Sequence, residues 1–281
     1  VRAIAEEFEP VFYAAGTHPM SAADEPLATV DELVALAQHP KFVGIGETGL
    51  DYHYTAESAD IQKTSLRVHI EAAQETGLPL IIHARAADDD MARILSEGVK
   101  ARPFTCVMHC FSSSAELARA ALDLGFYLSM SGIAAFPKSH DLRAIFAAAP
   151  VDRILVETDA PYLAPPPYRG KRNQPAYVAH TARAGAEGRG ARRPQAGVDR
   201  VAQEGVGVAR EGDDALLDAR AARIVDPDHR RAVLHRHIHD LADLLGMGFR
   251  KRSPEHGEIL AEHIHHAAVD RAPAGDDAVA G

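Results

Sequence analysis

Four side chains able to do chemistry stand where short apolar runs stop. Glu47 closes FVGIGE, His83 closes LPLIIH, His109 closes TCVMH, and Asp159 follows ILVET. Mixed imidazole and carboxylate donors are what divalent ions bind, and a spare carboxylate can bridge ions or take a proton from water. Each residue alone has an ordinary explanation. A lone Glu47 reads as a solvated loop acid, and His83 or His109 as a satisfied core histidine. Four such groups at four run ends form a constellation instead. Glu157 and Asp159 lie two positions apart on a strand and share a face, so one can enter a site while the other orients it.

The apolar runs are the elements that must hold these groups. Six strands are predicted, near 11–15, 42–46, 80–83, 105–109, 126–130 and 154–157, with helices at 27–38, 57–75, 88–97, 115–124 and 142–148. Ser113 or Ser114 can cap the helix at 115, and Gly77 can end the helix before Leu78-Pro79. FVGIG, PLIIH and RILVE are nearly continuous in apolar residues, as strands buried on both faces must be. Alternating strands and helices describe consecutive βα units of a parallel sheet. Chemistry at strand exits then points to an α/β barrel, a TIM-type (β/α)8 fold whose mouth carries the site. Eight strands close such a barrel and six are visible. The opening VRAIAEEFEP reads as a helix running into a strand, so two preceding βα units are expected to be missing.

Composition narrows the class. With 281 residues and 46% hydrophobic content, the chain can bury a sizeable core, and no run reaches the length of a membrane span. A formal charge of −10 argues against generic adhesion to nucleic acid, but leaves room for a local basic patch. The two cysteines, Cys106 and Cys110, read as small apolar residues of a reducing compartment, and a cytoplasmic location is expected.

The motifs GTHPM, GETGLDY, IIHAR, MHCFS, ETDAPYLAP and RGKRNQPAYV follow one another in the order and spacing of the TatD family of metal-dependent hydrolases, which residues 12–181 resemble. The resemblance implies a barrel of the amidohydrolase kind with two divalent metal ions, Mg, Zn or Mn. It implies hydrolysis of phosphodiester bonds at DNA 3′ ends, with ester hydrolysis on D-aminoacyl-tRNA as the alternative. By position, Glu47 matches the bridging carboxylate, and His83 and His109 the two histidines of one metal site. Asp159 matches the acid that ligates the other metal and serves as base.

Further residues are candidates for substrate contact. Arg169, Lys171 and Arg172 lie in the loop after the last strand, where barrels of this type bind phosphate. A cationic clamp suits a phosphodiester, although a solvated basic loop explains the same residues. His18, in GTHP, stands at another strand exit, and Tyr162 can pack against the mouth or stack on a base.

Two departures from the family pattern shape the expectation. The His-x-His pair that opens the family is not found ahead of Val1, and Asn173-Gln174-Pro175 stands where the family has Asn-Glu-Pro. One tightly held ion is therefore expected, on Glu47, His83 and His109 with Asp159 near, and little or no nuclease activity. A catalytically inactive family member is the non-enzyme reading. DNA ends or aminoacyl-tRNA are the expected partners, and the oligomeric state is not legible.

Resemblance ends near Thr181. Residues 182–281 hold 14 Arg and one Lys, and no aromatic falls between Tyr177 and Phe249. This reads as a low-complexity tail, largely disordered, with amphipathic helices near 230–246 and 257–269. The closing helix of the barrel is expected to be lost there. Such a composition is also what a GC-rich gene yields out of frame. The histidines 235, 237, 239, 263, 265 and 266 suit adventitious Ni or Zn binding rather than catalysis.

Overall fold

Six parallel strands line up in the order of the sequence, each hydrogen-bonded to the next. They are β1 (Tyr13–Ala15), β2 (Phe42–Asp51), β3 (Leu80–Arg85), β4 (Cys106–Met108), β5 (Tyr127–Met130) and β6 (Ile154–Val156). The computed structural model describes residues 1–190. The expected tail helices near 230–246 and 257–269, and the late histidines, lie outside the described residues.

Helices fill the gaps between strands: α1 (Arg2–Glu7), α2 (Val30–Leu36), α3 (Ala59–Thr76), α4 (Asp88–Ala101), α5 (Ala115–Asp123), α6 (His140–Ala148) and α7 (Val178–Gly188). This is the α/β architecture of TIM type, with β1 and β6 ending the row of strands among the described residues. Local signals set the helix ends. Thr29 and Glu32 form a reciprocal capping box on α2, Ser114 caps α5 through the Leu117 amide, and Gly77 closes α3 in the left-handed conformation. Each such cap contributes about 1 kcal/mol.

Phe42, Ile45, Leu50, Leu66, Leu80, Ile82, Met91 and Leu128 are fully enclosed between the strands and their covering helices. Both faces of β2 and of the first half of β3 are buried, which is why FVGIG and LII run without alternation. No helix among the described residues is long and apolar enough to cross a membrane.

Two boundaries differ from expectation. Strand β2 continues to Asp51 rather than stopping at Gly46, so Glu47 lies inside the strand. Helix α7 crosses the break expected at 181 and buries Ala182 and Ala186, so the chain keeps a helix where its loss was expected. Its small residues pack closely enough that aromatic side chains are not needed there.

Candidate metal centre

A β-bulge makes the site. Register between β2 and β3 runs Ile45↔Leu80 and then Thr48↔Ile82, so three steps on β2 match two on β3. The extra residue re-aims the side chain beside it, as bulges do near sites, and here that side chain is Glu47. Gly46 makes the bulge possible. Its φ is 137°, and a Cβ there would come within 2.5 Å of the Ile81 carbonyl oxygen.

Three imidazoles converge on one oxygen of Glu47. His83 Nδ1 is 3.1 Å from Oε1, His109 Nδ1 is 3.4 Å and His18 Nε2 is 3.9 Å. Ligand atoms of His18, Glu47 and His83 all lie within 4.8 Å of one another, a grouping able to hold a metal ion. Glu47 and His109 are 7% exposed, so the cluster is largely shielded from water. His18 reaches it from the turn after β1, and its ring meets the His83 ring edge-on at 4.7 Å.

Two further acids back the histidines. His83 Nε2 lies 2.9 Å from Asp51 Oδ2, and His109 Nε2 lies 3.1 Å from Glu157 Oε2. Each backing acid is held in turn. Asp51 accepts the amides of His53 and Tyr54, and Glu157 accepts the Cys110 amide at 2.6 Å. Carboxylate behind imidazole is the arrangement that orients a metal-binding histidine and raises its basicity. Asp51 was not singled out in the sequence, though it lies four residues after Glu47 on the same strand. Glu157 backs His109, whereas its spacing from Asp159 suggested a role in orienting that acid.

The charges follow from this geometry. Burial works against protonating His83, but the hydrogen bonds to Asp51 and Glu47 outweigh it and lift its pKa to about 9. His109 is likewise raised well above the usual imidazole range, burial being overcome by Glu157 and Glu47. Each ring has a carboxylate oxygen at both nitrogens, so without an ion both favour the imidazolium. A divalent ion replaces protons in such a donor set, which is the ordinary linkage between metal and proton binding. At His18, Nδ1 accepts the Met20 amide at 3.3 Å, which leaves Nε2 as the proton-bearing nitrogen toward Glu47. Ligation by that nitrogen would displace this proton and give up the long Met20 contact.

Asp159 follows β6, which β5 separates from β4 in the sheet. It takes a left-handed φ of 55°, and the Cys110 thiol points to its Oδ2 at 3.9 Å. Ala86, Cys110, Asp159 and Leu163 are the non-glycine residues of positive φ among those described, and all follow β3, β4 or β6. Such conformations are costly and gather where surrounding structure over-determines them, commonly at sites. Cys110 is thus more than an apolar filler. It lies beyond the end of β4 and donates to Ser131 Oγ at 3.0 Å, while burial and the nearby acids push its thiol pKa up. Cys106 is fully buried within β4, as the apolar reading had it.

The basic loop lies farther out. Arg169 stacks its guanidinium over the Phe136 ring at 4.6 Å, and Lys171 and Arg172 are exposed. Tyr162 is 55% exposed, and its carbonyl accepts from Asn173 Nδ2. Asn173 also donates to the Thr158 carbonyl at 2.6 Å, so this buried amide ties the Asp159 loop to the chain beyond it. Gln174 beside it is exposed. A cavity of about 720 Å³ is lined by Arg85, Asp88, Asp89, Ser112, Phe136 and Leu163, among others, and none of the cluster residues lines it.

Comparison with known proteins places this arrangement. The family profile described as TatD related DNase matches residues 1–203. The chain belongs to the TatD family. It is 44% identical over 180 residues to the uncharacterized metal-dependent hydrolase YabD of Bacillus subtilis, a match covering 63% of this chain and 69% of that protein. It is 30% identical over 182 residues to the 3′-5′ ssDNA/RNA exonuclease TatD of Salmonella typhimurium, covering 63% and 70%. The chain therefore spans about two thirds of the length of these TatD-family relatives. Among solved structures it resembles the TatD homolog YJJV of Escherichia coli K12, with a TM-score of 0.61 and 28% identity over 72% of this chain and 76% of that one. A hydrolase TatD family protein of Entamoeba histolytica, at 21% identity and a TM-score of 0.59, shares the fold.

Proposed function

We propose that this chain is a metal-dependent hydrolase that cleaves phosphodiester bonds, acting on the 3′ ends of single-stranded DNA. One observation carries the reading: three imidazoles face a single buried carboxylate oxygen, Glu47 Oε1, and two of them are backed by a second acid. Surface ion pairs do not need two acids per imidazole, whereas metal sites use the outer acid to orient the ligand. The name of the Salmonella relative supports the choice of nucleic acid.

Glu47, His83 and His109 would hold the ion, with His18 adjoining. When bound, a divalent cation there supplies Lewis-acid polarisation and neutralises charge on a phosphoryl oxygen. Asp51 and Glu157 keep the imidazoles aimed at Glu47. Asp159, past the end of β6, is the base that takes a proton from the attacking water. Arg169 and Lys171 stand at the rim to neutralise charge on the substrate backbone.

Incubating the full chain with Mn²⁺ and a 5′-labelled single-stranded oligonucleotide tests this directly. Shortening of the label strand, lost in Glu47→Gln and Asp159→Asn, is expected. Turnover of D-tyrosyl-tRNA without turnover of DNA would move the assignment to ester hydrolysis. Hydrolysis of neither would leave the inactive reading standing.

A further inference from the structure

The turn that brings His18 to the cluster is held from a distance. Gly16, Thr17 and His18 follow β1 and lead into a single 3-10 turn, Pro19–Ser21. Two of the turn's hydrogen bonds are local: Met20 N–H to His18 Nδ1 and Ser21 N–H to the His18 carbonyl. The buried Thr17 amide instead donates across 52 positions to His69 Nε2, at 2.9 Å. His69 lies on the enclosed face of α3 among Leu66, Ile70 and Ala73, and is 0% exposed. Its other nitrogen, Nδ1, is 2.8 Å from the Ser65 carbonyl oxygen.

These partners leave one assignment for the ring. A carbonyl oxygen can only accept, so Nδ1 carries the proton, and an amide N–H can only donate, so Nε2 carries the lone pair. The imidazole is therefore neutral and of one tautomer. Burial, which lowers its pKa, agrees with that form. Contact with the turn is direct: a Cβ added at Gly16 would stand 3.0 Å from His69 Cδ2. A leucine or isoleucine would fill the same apolar stripe, but would leave the Thr17 amide buried without an acceptor.

We propose that His69 is a positioning residue whose Nε2 holds the Thr17 amide and thereby sets His18 against Glu47 and His83. Its route to the cluster is the turn, through the Thr17 amide. The proposal rests on the metal reading of the cluster, and its test separates the two. Mn²⁺ affinity of the full chain is measured by titration calorimetry for wild type, His69→Leu, His69→Gln, His18→Ala and the His18→Ala/His69→Leu pair. Loss of an outer partner of a metal site weakens binding by about tenfold or more. His69→Leu is expected to lose about tenfold in the wild-type background and less than about twofold when His18 is already absent, the coupling expected of residues acting as one unit. His69→Gln, which offers an oxygen to Thr17, is expected to recover most of the affinity.

An undiminished loss in the His18→Ala background, or no loss in wild type, would overturn the proposal. Should His69→Leu fail to fold, the Gln variant and the wild-type ring decide it. Long-range proton–nitrogen NMR at pH 7.5 is expected to show His69 as the Nδ1–H tautomer, and an Nε2–H ring or an imidazolium would overturn the contact. Wild type without Mn²⁺ affinity would sink the metal reading, and the NMR result would then decide the His69–Thr17 contact by itself.

Discussion

The exits of β2, β3 and β4 and the exit of β6 carry the same kinds of residue under opposite conditions. At the first, Glu47 and His109 are shielded from water, and the outer nitrogens of His83 and His109 face Asp51 and Glu157, acids that are themselves anchored. At the second, Asp159 takes a left-handed backbone, while Lys171 and Arg172 lie exposed in the loop beyond. The rigid half rests on a strand bulge and paired acids; the other half rests largely on one buried amide, Asn173. A site built on strands is set by the sheet, and one built on a loop is set by whatever ties the loop down. The difference matches the proposed division, with ion binding in the first region and proton and phosphate handling in the second.

The sharpest way to break that division is to delete one group from each region. His109→Ala should cost about a hundredfold or more in Mn²⁺ affinity, while Asp159→Ala should cost only a few fold yet abolish hydrolysis. Calorimetry and oligonucleotide turnover read the two effects separately, and equal losses of affinity would erase the contrast. The backing acids come next. Asp51→Asn and Glu157→Gln should each weaken Mn²⁺ by about 10–100-fold, as outer partners of metal ligands do.

Smaller again is the tie on the second region. Asn173→Ala leaves the carbonyls of Thr158 and Tyr162 without their amide donor. It should lower unfolding free energy by about 1–3 kcal/mol in a denaturant melt, with Mn²⁺ affinity unchanged. The smallest effect belongs to the rim just past β2. Hydrogen bonds from Arg93, Tyr52 and Lys63 hold the Asp90 carboxyl at a pKa of about 2, below its ordinary value. The group is depressed on folding, so its contribution is present above about pH 4 and is lost as pH falls toward 2. The pairs are near the surface, so Asp90→Asn should cost less than about 1 kcal/mol at neutral pH and flatten the acid limb of the stability curve. A loss of metal affinity in Asp90→Asn would extend the rigid region to the rim.

Much of the arrangement was legible because apolar runs that end on chemistry reveal strand exits. His83 stands where its run stops and His109 one residue past the end of β4, and the helices between strands follow the 3.6-residue pattern and its capping signals. Glu47 was legible by type and order, but its aim comes from the bulge, and a register shift depends on pairing between distant segments. Asp51 lies beyond the strand end expected at 46, so only the longer β2 of the structure sets it on the same strand as Glu47. His69 and Thr17 are 52 positions apart, so only folding brings them together. His18 was read as a substrate contact, and its place beside Glu47 and His83 came from the turn that His69 holds. The break expected at 181 came from composition and from the end of the motif resemblance, neither of which shows that α7 buries alanines rather than aromatics.

Metal content of the purified full chain, with and without Glu47, tests the central assignment most directly. After equilibration with Mn²⁺ and removal of free ion, mass spectrometry should find one tightly held ion per wild-type chain and none in Glu47→Ala. An ion retained by Glu47→Ala, or none in the wild type, would contradict it.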